Sequence, residues 1–195
     1  MSDAVFPDNT VLCNFAAINR LDLLETVLRG RGRWTEAVAY EAQKSARYLP
    51  ALTRLEPAGW LGAPIEIDDE RDAEQVERIR RAVFGGTSAE PLRHLGEAQT
   101  IYLIKNRAEL SGSWWVSDDR EAQQLGQRQG LVVRDTFDLM VEAAELERRR
   151  AETPPVTAQA KRGYASLYRR EVLLADQGCD FDFLLENPQG AARGG

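Results

Sequence analysis

Histidine is all but missing from this sequence: His94 is the only one among 195 residues. A histidine-based metal site or a Ser-His-Asp relay would have to rest on that single side chain, which reads as an ordinary loop residue ahead of a helix. Cysteine is almost as scarce. Cys13 and Cys179 stand far apart and in no metal-spaced pair, so a reducing cytoplasm is the expected setting, with Cys13 as a small core residue. No apolar run approaches the roughly 20 residues a membrane span needs, and no membrane partner is expected. Met1-Ser2-Asp3 opens without the basic and apolar stretches of a secretory signal. A Gly-rich phosphate loop of the P-loop or dinucleotide type is lacking too, and no internal repeat is visible.

What remains is the composition of a globular protein. A hydrophobic fraction of 43% against 29% charged residues suits one well-packed domain with an appendage. The net charge of −6 excludes a protein that coats nucleic acid by charge alone. It does not exclude a nuclease, because bound cations cancel the carboxylates of a metal site. Arginine clusters at Arg29/Arg31/Arg33, Arg78/Arg80/Arg81 and Arg148/Arg149/Arg150 read as solvated helix faces or ends before they read as phosphate-binding strips.

Along the chain, short apolar runs alternate with amphipathic stretches. Ala4-Val5-Phe6 is a first strand, and Pro7 to Thr10 is a turn. Val11, Leu12, Phe15, Ala16 and Ile18 have helical spacing, and a second helix runs from about Leu21 to Leu28. Trp34-Thr35 ends a short strand, and Thr35 caps a helix bearing Glu41. Ile65-Glu66-Ile67 alternates like a strand. The charged stretch from Asp69 to Phe84 is a helix in which Glu74–Arg78 and Glu77–Arg81 have the favoured order, each pair contributing about 0.2–0.5 kcal/mol. A helix from Glu97 to about Arg107, a strand over Ser113–Ser117, a helix from Asp118 to near Gly130, a strand at Leu131–Val133 and a long helix from Thr136 follow. Alternation of this kind predicts an α/β fold with a parallel sheet. Pro154-Pro155 then breaks the chain, and Val156 to Ala175 reads as a separate helix with Tyr164, Leu167, Tyr168, Val172 and Leu173 on its apolar face.

Acidic residues recur at the ends of these elements: Asp8, Glu41, Glu97 and the Asp118-Asp119 pair. Each has a structural reading. Asp8 suits an N-cap, Glu41 a solvated helix face, Glu97 the positive end of a helix, and Asp118 with Glu121 a capping box, which would leave Asp119 free for chemistry. Each also has a chemical reading. In a parallel sheet the carboxyl ends of the strands converge on one crevice, where clustered carboxylates need a compensating cation, and oxygen-only ligands favour Mg²⁺ or Mn²⁺. Thr10 and Ser117 are placed to support the acids, Thr10 by orienting Asp8 or a metal-bound water.

The motifs also carry a family resemblance. Asp8-Asn9-Thr10-Val11-Leu12 through Asn14 to Leu24 resembles the opening of PIN domains, in particular the VapC-like prokaryotic subgroup, whose usual Asp-Thr-Ser turn is Asp8-Asn9-Thr10 here. Glu36-Ala37-Val38-Ala39-Tyr40-Glu41 is similar to the segment with the second acid, and Leu95-Gly96-Glu97-Ala98 to the Gly-Glu-Ala motif with the third. Ser117-Asp118-Asp119-Arg120 resembles the Asp-Asp-Arg segment, and Gly130 to Val133 followed by Thr136 the closing strand and helix. The match runs in order from about Ala4 to Glu145.

The resemblance implies a PIN-like parallel sheet flanked by helices over residues 1–150, with a C-terminal helical extension over 151–186 and a disordered tail over 187–195. It implies a Mg²⁺- or Mn²⁺-dependent endoribonuclease acting on single-stranded or structured RNA, the toxin of a toxin–antitoxin pair. Asp8, Glu97 and Asp119 (or Asp118) would hold metal and Glu41 would complete the cluster. The apolar stripe of the extra helix is expected to pack on the chain's own core first, with a second copy of the chain or an antitoxin protein as the partners that could cover it instead. Two other readings share the same acids: a non-catalytic PIN-like scaffold, and a DNA-directed structure-specific nuclease.

Overall fold

A computed structural model describes residues 3–151; the expected C-terminal helix and tail lie outside the described residues. The chain divides into two units, Met1–Leu139 and Met140–Gly195. In the first, β1 (Val5–Pro7), β2 (Trp114–Val116) and β3 (Val132–Arg134) form a parallel sheet in the order β1-β2-β3. The register places Phe6 beside Trp115 and Trp115 beside Val133. Short runs rich in Val, Phe and Trp suit strands; β1 is buried throughout, and β3 is the partly exposed edge. The ladder outlasts the strands by one residue, since the Asp8 amide donates to the Val116 carbonyl and the Ser117 amide to that of Arg134.

The helices of the described residues are, in chain order, α1 (Asn9–Ala17), α2 (Leu21–Leu28), α3 (Glu36–Ser45), the short α4 (Leu55–Ala58), α5 (Glu70–Phe84), α6 (Leu95–Asn106), α7 (Arg120–Arg128) and α8 (Thr136–Ala151). Phe6 and Trp115 point to the face covered by α5 and α6, where they meet Val76, Ala98, Ile101, Tyr102, Leu103 and Ile104. Helix α6 is buried almost all round, from Ala98 to Ile104, as a central helix must be. Among the described residues no helix is long and apolar enough to cross a membrane.

Three expectations change. Of Ile65–Ile67 only Ile65 pairs, in an isolated parallel bridge with Thr35; α3 begins at Glu36, so no extended partner remains for a ladder to follow. The second bridge, Val5 with Gly32, borders β1, so the expected strand ending at Trp34-Thr35 is likewise reduced to bridges. In the charged stretch after Asp69, α5 packs along α6 and buries Val76 in the core, and Arg80, expected on a solvated face, is buried too. Its side chain is 1% exposed. It donates to both oxygens of Glu77 at 2.6 and 2.8 Å and to the carbonyls of Thr87, Glu90 and Arg93 at 3.2, 3.1 and 3.3 Å. Arginine's planar, multi-donor group is suited to such a staple, which ties down the loop after Gly85, whose φ of 68° ends α5.

Helix α7 lies so close to the sheet that a Cβ on Gly126 would meet Val133 Cγ2 at 2.5 Å and Trp115 Cε3 at 3.1 Å. Gly126→Ala is therefore expected to destabilise the fold despite alanine's better helix propensity. Overpacking costs about 1–3 kcal/mol, and the propensity gain is about 1 kcal/mol. Urea unfolding should show a net loss of up to about 2 kcal/mol.

Candidate active site

The end of β1 delivers Asp8 to the carboxyl edge of the sheet. Its backbone is extended and its Oδ1 accepts the Val11 amide at 2.9 Å, so the carboxylate caps α1. The Ser117 hydroxyl, fully buried at the end of β2, hydrogen-bonds the same carboxylate and accepts the Asp119 amide at 3.3 Å. The cap and the crevice are thus served by one residue. Thr10 lies in the first turn of α1, and among the described residues its hydroxyl makes no hydrogen bond to Asp8; Ser117 does that instead.

Glu41 arrives on α3, whose N-terminus is fixed to α6 by the buried Gln99. That side chain accepts the Ala37 amide at 3.1 Å and donates to Glu36 at 2.8 Å. The two helices meet where α6 has no side chain: a Cβ on Gly96 would lie 3.0 Å from Val38 Cγ2 and 3.5 Å from Glu41 Oε1. Glu97, the next residue, occupies the first turn of α6 with 21% of its side chain exposed. His94 Nδ1 stands 3.1 Å from Glu97 Oε1. Because Arg93 Nε–H can only donate, and points at His94 Nε2 at 3.2 Å, the ring proton belongs on Nδ1 and is donated to Glu97. The imidazole stacks on Phe84 at 5.7 Å, and its residue adopts a φ of 60°.

At the end of β2 the expected division of labour between neighbouring aspartates is reversed. Asp119 is exposed and is the N-cap of α7, accepting the amides of Glu121 and Ala122 at 2.7 and 2.9 Å. Helix α7 starts one residue later than the capping-box reading assumed. Asp118 turns inward instead. It accepts Asn14 Nδ2 at 2.8 Å, the Thr136 amide at 2.8 Å and the Thr136 hydroxyl at 2.5 Å.

Asp8, Glu41, Glu97 and Asp118, carried by four elements, therefore lie near enough for charge to link them, Asp8 with Asp118 and Glu97, and Glu41 with Glu97 and Asp8, while the exposed Asp119 caps α7. Their charges act on one another. Burial pushes Asp8 up to about 7, with Asp118 and Glu97 adding to the rise while the bonds from Ser117 and Val11 oppose it. Burial pushes Glu41 up to about 8, reinforced by Glu97 and Asp8 and opposed by Lys44. Asp118 is raised as well, by burial first, against the bonds from Thr136 and Asn14. Oxygen donors whose charges are costly together suit a hard divalent cation. As they lie, no three His, Cys, Asp or Glu side chains among the described residues form a finished metal cluster.

Sequence reasoning overlooked His94, Asn14 and Thr136 as partners of these acids, and Gln99 as the link between α3 and α6. Asn14 did leave a signal, a polar residue in the apolar run Val11 to Ala16. The role of His94 depends on a left-handed backbone that no pattern announces.

The raised acids make stability depend on pH. Unfolded, Asp8 and Glu41 ionise near 3.8 and 4.5; folded, they hold their protons to about 7 and 8. Between those limits the folded chain binds more protons, so stability falls as pH rises. In EDTA, thermal unfolding should show a higher Tm at about pH 5 than at about pH 8. Asp8→Asn, which keeps a capping side chain, should flatten that dependence and raise Tm at the higher pH.

Comparison with known proteins agrees with this geometry. A stretch of 53 residues is 43% identical to 6-deoxy-6-sulfo-D-gluconate dehydratase of Pseudomonas putida, covering 27% of this chain and 9% of that enzyme. So small a part of a long enzyme transfers neither fold nor activity. No solved structure matches the chain. The model of the PIN-domain family DUF3368 matches residues 4–158, from before β1 to beyond α8. PIN domains are typically nucleases, a hydrolase class acting on phosphodiesters, and generally use divalent metals. By that match, and with a parallel sheet whose strand ends gather carboxylates, this chain belongs to the PIN-domain family.

Proposed function

We propose that the protein is a Mg²⁺- or Mn²⁺-dependent endoribonuclease that hydrolyses single-stranded RNA, and that it is the toxin of a VapC-like toxin–antitoxin pair. The observation that carries the catalytic part is the convergence of Asp8, Glu41, Glu97 and Asp118, whose burial and mutual repulsion are costs in the metal-free protein. The toxin assignment rests on the order of the motifs along the chain, and an antitoxin is the partner it entails.

Asp8, Glu97 and Asp118 would hold the ion, with Glu41 beside them. The chemistry such an ion would supply is activation of water and charge stabilisation at the leaving oxygen. The protein's own contribution is orientation. Ser117 and the α1 amides fix Asp8, His94 fixes Glu97, and Asn14 with Thr136 fixes Asp118. Such supporting bonds are commonly worth 10–100-fold in metal affinity or activity. No nucleophilic side chain is needed.

Cleavage of labelled single-stranded RNA in Mn²⁺, Mg²⁺ and EDTA tests the reading, with flap and duplex DNA alongside. Asp8→Asn and Asp118→Asn should each lower cleavage by about 10²-fold or more. Asp119→Asn, which preserves a good cap, should stay within about tenfold of wild type. Full metal-dependent cutting by Asp8→Asn would overturn the site, and a preference for DNA would overturn the substrate.

A further inference from the structure

Helix α3 turns Glu41 toward the crevice and, on the adjoining side, carries a row of another character. Tyr40, Lys44 and Tyr48 recur every fourth residue along α3 and the turn that follows it, so they share one face. The two tyrosines are 45% and 51% exposed. Among the described residues no other large apolar side chain of α3 or that turn is exposed. The Lys44 ammonium lies over the Tyr40 ring, 5.0 Å from its centre. Neither Lys44 nor the exposed Arg47 forms an ion pair among the described residues. Lys44 also follows Glu41 by three residues on α3, which makes the two neighbours on the helix surface and sets this row beside the acid.

Two exposed rings with a cation over one of them match a single-stranded nucleic acid more closely than a protein. Stacking accepts any base, and cations beside the rings that have no carboxylate partner among the described residues complement phosphate, whereas an apolar interface core would bring the rings together without charge. Eight residues at helical rise separate the tyrosines by about 12 Å, enough for each to take a different base. We propose that Tyr40, Lys44 and Tyr48 form a platform that stacks bases of a single-stranded RNA, with Lys44 and Arg47 on its phosphates, and feeds the strand into the crevice. The proposal rests on the nuclease reading for the polarity of the path but is tested by binding.

The experiment measures fluorescence anisotropy of a labelled single-stranded RNA oligomer in EDTA, with kcat and KM in Mn²⁺ for the same proteins. Tyr40→Ala and Tyr48→Ala should each weaken binding about 5- to 100-fold, raising KM with kcat nearly unchanged. Tyr→Phe variants should bind like wild type, and Lys44→Gln should reduce the salt slope by about 0.7. Wild-type affinity in both alanine variants overturns the platform, as does wild-type protein that binds no RNA. An altered oligomeric state by light scattering with unchanged RNA affinity also overturns it and makes the face a protein interface. Tyrosine-dependent binding without cleavage in either metal supports the platform while overturning the nuclease. Cleavage indifferent to the alanine changes does the reverse.

Discussion

Burial of carboxylates near one another, with their mutual repulsion adding to its cost, is the constraint on which the site in the first unit depends. Asp8 and Glu41 are held where their charged forms are unfavourable enough to keep protons near neutral pH. Nothing local requires this. A capping aspartate works as well when exposed, as Asp119 shows at the start of α7. What forces the acids together is the parallel sheet, whose strands all end at one edge, and the approach of α3 to α6 across the bare backbone of Gly96. The fold thus accepts a local cost that a divalent cation would remove, a common pattern at functional sites.

Each acid is oriented by something that has another task. The α1 amides that bind Asp8 would need a cap in any case. Thr136 both opens α8 and anchors Asp118. The loop that presents His94 to Glu97 is stapled through its carbonyls by Arg80, a buried guanidinium from the middle of α5. Precision at the crevice is inherited from the hydrogen-bond accounting of helix ends and loops.

Much of this was legible in the sequence because the signals were local. Apolar triplets followed by Asp or Ser mark strand ends, and the alternation of strands and helices implies parallel pairing. The four acidic stations were visible together with the motifs that link them to PIN domains. The choice between Asp118 and Asp119 was not legible, because both suit a cap and a one-residue shift in the start of α7 exchanges their roles. Arg80 read as solvated, since charge patterning within a helix cannot show that a distant loop folds over it. Ile65 read as part of a strand because alternation reports a preference, while pairing depends on whether a neighbour is extended.

The staple at Arg80 also has a bearing on the order in which the crevice can come into being. All its partners lie within thirteen residues of it, so the loop before Glu97 is set by contacts of small sequence separation, the kind that close early and fast. Asp118 is different. Its bond to Asn14 spans 104 residues, and closing so long a loop costs entropy that the sheet must first repay. The half of the crevice that holds Glu97 is thus local in the chain, while the half that holds Asp118 waits on global folding. A nascent or partly folded chain carries its acids dispersed, and the assembled crevice is a property of the completed fold alone.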